Sequence, residues 1–430
     1  MTPEDRESGY GWYALAVLIL AYVLAFLDRQ ILNLLVQPIK HDLGLSDVEI
    51  SLLQGLSFAL FLSIGGLPIG RLVDTGRRTR LLGFGIALWS LATAGCGLVS
   101  GYARLLTCRI GVGVGEATMT PTAYSLIGDY FPARRQGLAI GLYSVGAYLG
   151  AGLALIVGAE IAARVPAGDV AMPLIGVLRG WQIVFVLVGL AGLPIALWVA
   201  TLREPRRRGR AASVPIAEVI AWFRGRAAAL VLVNLCVAFA AMAMYGLSSW
   251  LPTFFLRRFG IAASEAGRTI GVIVMIAGSL GTLSAGLIGD RLTNTRRADA
   301  RLRIMITGAL FALPFAVAAM LAVSAGAAFR LLAPTIFFLT LAIGSGPASL
   351  QQVTPGRMRG MQHAFAVLAV NLIGLGLGPT IVALITDHVL HDEARIGTAM
   401  AAGAAVALTL SALCGGLALA PYRRAAAAVA

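Results

Sequence analysis

Apolar stretches of about 20 residues recur along the whole chain, and nothing else in the sequence limits its fold so sharply. They fall at roughly 12–38, 48–72, 80–101, 103–127, 136–163, 180–202, 227–257, 264–289, 302–325, 330–352, 360–387 and 395–420. Hydrophobic residues make up 58% of the 430 and charged ones 13%. A soluble domain has about 45–50% apolar and about 25% charged residues, too few apolar side chains for this pattern. In hydrocarbon every backbone N–H and C=O must be satisfied within the protein, so each stretch is expected to be a helix. The pattern predicts an all-α membrane protein with twelve transmembrane helices. The N-terminal residues place Glu4, Asp5 and Glu7 around Arg6, unlike the basic start of a signal peptide, so the first helix is expected to be retained.

A net charge of +14 would suggest a nucleic-acid partner in a soluble protein. Here the basic residues fall in short blocks between apolar runs, as in membrane loops, and no nucleic acid is expected. With the N-terminus inside, one side of the membrane collects 23 of the 34 Lys and Arg and the other side 9; Arg29 and Arg109 lie within spans. Positive residues favour the inner side, so both termini are expected in the cytoplasm.

The longest connection, roughly 203–226, opens with Arg203-Glu204-Pro205-Arg206-Arg207-Arg208-Gly209-Arg210. Ile216, Val219, Ile220 and Phe223 follow at helical spacing, which predicts an interfacial helix with a basic flank on anionic headgroups. This segment divides the chain into an N-terminal six-helix bundle (1–202) and a C-terminal one (227–430).

The halves echo each other. Gly70-Arg71-Leu72-Val73-Asp74 ends the second span, and Gly286-Leu287-Ile288-Gly289-Asp290-Arg291 ends the eighth. Each resembles the G-x-L-A-D-R-x-G-R-K loop of the major facilitator superfamily. The first copy departs from it: Thr75 replaces the Arg after the acid and Arg77 stands where Gly is usual, leaving Arg78 as the basic partner. Such a loop acts as a conformational latch, an acid meeting a neighbouring helix N-terminus while Arg residues bridge to other acids. Asp129, in the loop after the fourth span, is the expected partner of Arg78.

Charges inside the spans carry most of the functional information. The first span contains Phe26-Leu27-Asp28-Arg29-Gln30, and the fourth runs from Arg109 through Gly111, Gly113 and Gly115 to Glu116. A charge at mid-bilayer costs several kcal/mol unless it is paired or faces water. At 1.5 Å per residue Asp28 and Glu116 lie about 15 and about 18 Å from the outer ends of their helices. Arg109 and Glu116, seven residues apart, share a helix face. Two acids and two Arg at overlapping depth form a neutral network that one proton opens. A substrate that draws off an Arg raises the proton affinity of its acid, which couples the two.

Gly111-x-Gly113-x-Gly115 lies within an apolar helix rather than after a strand, so it is read as close helix packing and not as a nucleotide loop. Gly137, Gly141, Gly146, Gly150 and Gly152 of the fifth span read the same way. Lys40 is the only lysine and lies in no phosphate-binding loop, and no hydrolase or zinc motif is present, so no enzyme is expected. Cys96, Cys108, Cys236 and Cys414 lack metal spacing and read as small core residues. Gln54, Asn234, Tyr245, Trp250, Gln351, Gln352 and Asn371 are expected to make interhelical hydrogen bonds.

Within the superfamily the chain resembles bacterial Spinster-like members. The matching residues are Phe26-Leu27-Asp28-Arg29-Gln30, Pro38-Ile39-Lys40-His41-Asp42-Leu43-Gly44-Leu45-Ser46-Asp47, Gly66-Leu67-Pro68-Ile69-Gly70-Arg71-Leu72-Val73-Asp74 and Gly113-Val114-Gly115-Glu116-Ala117. The resemblance implies the major facilitator fold, two pseudo-symmetric six-helix bundles about a central cavity, working by alternating access. It implies a proton-linked carrier of lysolipid or sphingoid-phosphate-like anions, with Asp28 and Glu116 handling the proton and Arg29 and Arg109 the substrate. A proton symporter of small organic acids is the alternative, and a transport-inactive membrane sensor a more distant one. No cofactor is expected beyond the proton, and the expected partners are the substrate and membrane lipids. The chain is expected to be a monomer in the inner cell membrane.

Overall fold

In a computed structural model the described residues are 9–166, 168–172, 176–207, 216–293 and 299–427. Among them eleven helices are long and apolar enough to cross a membrane. The twelfth expected span, 103–127, is instead two helices, α4 (Tyr102–Glu116) and α5 (Met119–Tyr130). Two features break it. Pro121 has no N–H to give to the turn before it, and the Thr118 hydroxyl donates to the Gly115 carbonyl at 2.8 Å. The break follows directly on Glu116.

By its contacts the chain divides into two compact units. The first takes in residues up to Gly209 together with Ile261–Met275. It contains α1 (Gly9–Leu34), α2 (Ser57–Thr75), α3 (Arg78–Cys96), α4, α5, α6 (Ala133–Arg164) and α7 (Gly180–Ala200). A short antiparallel hairpin, β1 (Val170–Met172) with β2 (Gly176–Leu178), joins α6 to α7. Its last helix comes from further along the chain: Gly152 of α6 meets Gly271 so closely that a Cβ on Gly271 would lie 2.6 Å from the Gly152 carbonyl. Glu160 pairs with Arg268 at 3.4 Å beyond that seam. The expected run of helix-5 glycines thus serves two neighbours, Gly146 and Gly150 facing Ile19 and Val23 of α1 while Gly152 faces Gly271.

The second unit holds α8 (Ile216–Gly225), α9 (Ala227–Phe259), α11 (Ser279–Thr293), α12 (Ala300–Met320), α13 (Ala325–Gln352), α14 (Arg359–Ala369), α15 (Gly378–Leu384) and α16 (Ile396–Ala427); α10 (Ala263–Ile273) is the helix that packs with the first. The helix expected after the Arg-rich run is present as α8. Its Trp222 is buried against Leu230, Val233 and Tyr422, and Ile220 of the expected apolar face is 45% exposed. Arg208 and Arg210 of that run lie outside the described residues. Single polar side chains in the spans tie helices together as expected: Trp250 Nε1 donates to the Pro379 carbonyl at 3.0 Å. Asn234 instead donates within its own helix, to the Leu230 carbonyl at 2.6 Å. All four cysteines are free thiols.

Candidate functional site

The fourth-span glycines create the site by letting three helices approach. A Cβ at Gly115 would lie 2.8 Å from the Gly85 carbonyl and the Trp89 backbone of α3. One at Gly113 would lie 3.0 Å from the Phe58 carbonyl of α2, and one at Gly111 would lie 3.1 Å from Ala92. These contacts bring Arg109 and Glu116, on the same helix, against the charged turn of α1.

There Arg29 donates through Nε, at 2.7 Å, and through Nη2 to the same Glu116 oxygen, Oε2. Glu116 is 3% exposed, and the other oxygen, Oε1, has no hydrogen bond. Arg109, 1% exposed, turns to the backbone, with Nη1 3.3 Å from the Asp28 carbonyl and Nε 3.4 Å from the Leu53 carbonyl. Leu53 belongs to a π-helical turn, Leu52–Leu56, that leads into α2. Asp28 is 1% exposed and lies within electrostatic reach of Glu116 and Arg109, with Thr93 and Trp89 against it. Neither its carboxyl oxygens nor Trp89 Nε1 nor Thr93 Oγ1 has a hydrogen bond.

Of the four expected residues only Arg29 reaches beyond the packed interior, its side chain 22% exposed. Phe58, an ordinary apolar residue by sequence, lies beneath both guanidinium groups, its ring centroid 4.9 Å from Arg29 Cζ and 5.6 Å from Arg109 Cζ. Phe26 lies 5.6 Å from Arg29 and begins an aromatic group with Tyr22, Tyr143 and Tyr124. Toward the far end of α1, Asn33 donates to Gln30 at 2.7 Å and accepts from Gln54 at 3.1 Å.

The expected latch residues are placed very differently from one another. Arg78 is 1% exposed and donates to Asp129, to Glu204 (2.7 Å), to Ser125 (3.0 Å) and to the Pro205 carbonyl (3.0 Å). Glu204 also accepts from the Thr79 backbone at 3.0 Å, closing the first turn of α3. Its signal was visible as the one acid within a run of arginines. Asp74 is exposed and pairs with no Arg among the described residues; its backbone carbonyl accepts from Arg207. Gly70 and Gly286 have open space where a Cβ would stand, so neither marks a close contact. In the second copy Asp290 pairs with Arg301 at 2.7 Å, while Arg291 is exposed and unpaired among the described residues. The counterpart of Arg78 in burial is an acid, Asp299, held by Arg423 (2.6 Å) and Arg303 (3.0 Å).

Spanning helices that enclose a buried charged cluster, of which Arg29 alone is partly exposed, are the build of a membrane transporter. Residues 18–379 match the model of the Major Facilitator Superfamily, and the chain belongs to that family. It is 28% identical to an MFS-type efflux pump of Mycolicibacterium smegmatis over 96% of this chain and 94% of that one. It is 26% identical to a hexuronate transporter of Bacillus subtilis over 86% of this chain and 87% of the other. Among solved structures it is similar to a bacterial homolog of the human lysosomal transporter Spinster, in an inward-facing, unoccupied conformation. There the TM-score is 0.79 at 27% identity, covering 99% of this chain and 98% of that one.

Proposed function

We propose that the chain is a proton-coupled carrier of an amphipathic anion, lysolipid-like or sphingoid-phosphate-like, working as a monomer by alternating access. The reading places it in the inner cell membrane with both termini in the cytoplasm, and its bundles at 1–202 and 227–430 move about the 203–226 connection. One observation carries it: a buried carboxyl, Asp28, with Thr93 and Trp89 against it and no ion pair among the described residues, stands beside an acid, Glu116, that holds the only partly exposed Arg of the site. An unpaired buried carboxylate is costly, and a proton removes the charge. Arg29 is the substrate group, since it is partly exposed and can turn the same two N–H donors from Glu116 to another oxyanion. Arg109 is buried against carbonyls, and its part is to fix the potential at both acids. Tyr22, Phe26 and Tyr124, packed on the buried Tyr143, offer an aromatic surface for an apolar tail.

A second reading, a symporter of small hydroxylated carboxylates, is favoured by the Gln30–Asn33–Gln54 ladder, which runs from the helix of Arg29 to the π-helical turn before α2. The hexuronate relative points the same way. The test is flux in proteoliposomes under an imposed pH gradient, with lysophosphatidic acid in one arm and glucuronate in the other. Wild type is expected to accumulate the lipid, and Asp28→Asn and Glu116→Gln to lose the response to the gradient. Normal pH-driven transport by both variants would overturn the proton site, and uptake of glucuronate alone would select the second reading.

A further inference from the structure

We propose that Phe58 is a positioning residue whose ring holds the guanidinium groups of Arg29 and Arg109 together and thereby sets the strength of the Arg29–Glu116 pair. The inference deepens the transport reading above and rests on it for its functional consequence, but its structural core does not.

Phe58 is 0% exposed and stands at the second residue of α2, immediately after the π-helical turn Leu52–Leu56. That turn delivers two groups to Arg109, the Leu53 carbonyl at 3.4 Å and the Phe58 ring at 5.6 Å. The same ring is 4.9 Å from Arg29. Both separations fall inside the roughly 6 Å over which a ring face attracts a cation. Two cations brought together in a dry interior repel, and a shared ring offsets part of that repulsion through its quadrupole. Among the described residues Arg109 makes no direct ion pair; its guanidinium meets two carbonyls and this ring, with Asp28 and Glu116 in electrostatic reach, and the ring is its one aromatic contact. Arg29 has two alternatives to a substrate, Glu116 and aromatic faces, and Phe58 is the nearer of its two rings. The backbone of Phe58 is fixed in turn by Gly113, where a Cβ would come within 3.0 Å of its carbonyl. The ring cannot drift without parting α2 from α4.

Truncation at a fully buried position confuses packing with electrostatics, so the test keeps the shape and weakens the quadrupole. Phe58 is replaced by mono-, di- and trifluorinated phenylalanine in the full chain, purified in detergent. The first readout is the rate at which phenylglyoxal modifies Arg29, followed by peptide mass spectrometry. It is expected to rise stepwise with fluorination, by about 5- to 30-fold across the series, with the melting temperature unchanged. A flat rate overturns the inference, because a ring that merely fills space is insensitive to its quadrupole. The second readout is lysophosphatidic acid flux in proteoliposomes, where the apparent KM is expected to shift along the same series with Vmax changed little. A stepwise change in labelling without any wild-type flux of lysophosphatidic acid sinks the lysolipid reading and leaves the role of Phe58 standing. Flux that is pH-driven, with labelling flat, sinks Phe58 alone.

Discussion

Arg29 and Glu116, 87 positions apart in sequence, share one carboxylate oxygen, and Glu116 spends no second oxygen on the pair. The bond is therefore strong in one place and incomplete in another, which suits a link that is made and broken in each cycle. A lysine at position 29 keeps the charge but not the fork of donors. Arg29→Lys is expected to fold, to retain a melting temperature within a few degrees of wild type, and to raise the KM for an anionic substrate about 10-fold or more. Initial rates of uptake against substrate concentration check this; an unchanged KM would show that the planar geometry is irrelevant to binding.

The three glycines of α4 carry a prediction about stability. A methyl group at Gly115 collides with backbone on α3 at 2.8 Å, and backbone cannot rotate away as a side chain does. Gly115→Ala is expected to destabilise by about 1–3 kcal/mol through forced separation of the helices. Gly70→Ala, where a Cβ meets nothing within 4 Å, is the internal control and is expected to be neutral or slightly stabilising. Thermal unfolding in detergent compares the two. Equal melting temperatures would mean that α4 is not pinned at Gly115.

The charged residues of the site were legible in the sequence because ions interrupt apolar runs, and depth counting alone set Asp28 and Glu116 near each other. Which partner each would take was not legible. Arg29 rather than Arg109 meets Glu116, since Arg109 turns to the Asp28 and Leu53 carbonyls, and the π-helical turn that carries Leu53 has no sequence mark. Phe58 escaped notice because a phenylalanine in a membrane span is ordinary. Likewise Asp74 and Asp290 sit in matching motifs, yet among the described residues one has no ion pair and the other is bound to Arg301, because their neighbours differ rather than the motif itself. The helix break after Glu116 turns on Pro121 and Thr118, both visible, but length and apolarity alone favoured one continuous span.

Arg78 is one buried cation shared by two acids. Arg78→Ala removes it from Asp129 and Glu204, which both keep some contact with solvent, and a cost of about 1–3 kcal/mol is expected. Asp74→Asn removes an exposed charge with no ion pair among the described residues and is expected to change stability by less than about 0.5 kcal/mol. If the second variant proves as damaging as the first, while purified protein unfolds normally, Asp74 acts in another conformation.

Asp299 lies outside the spans, at the residue before α12, and gives a stability prediction with a definite sign in pH. Burial alone would push its carboxyl upward, but hydrogen bonds from Arg423 and Arg303 outweigh burial and hold it below the usual carboxylate value. The folded protein thus binds this proton less readily than the unfolded chain, whose value is about 3.9. The stabilisation is fully present above that value and disappears as pH falls through the lower folded one. Asp299→Asn is expected to lower the melting temperature by a constant amount from pH 7 to about pH 5, with the difference from wild type shrinking below about pH 4. Unfolding in detergent at stepped pH reads both limbs. A gap that widened in acid would require the folded carboxyl to lie above its unfolded value, and with it a burial cost that the two arginines fail to offset.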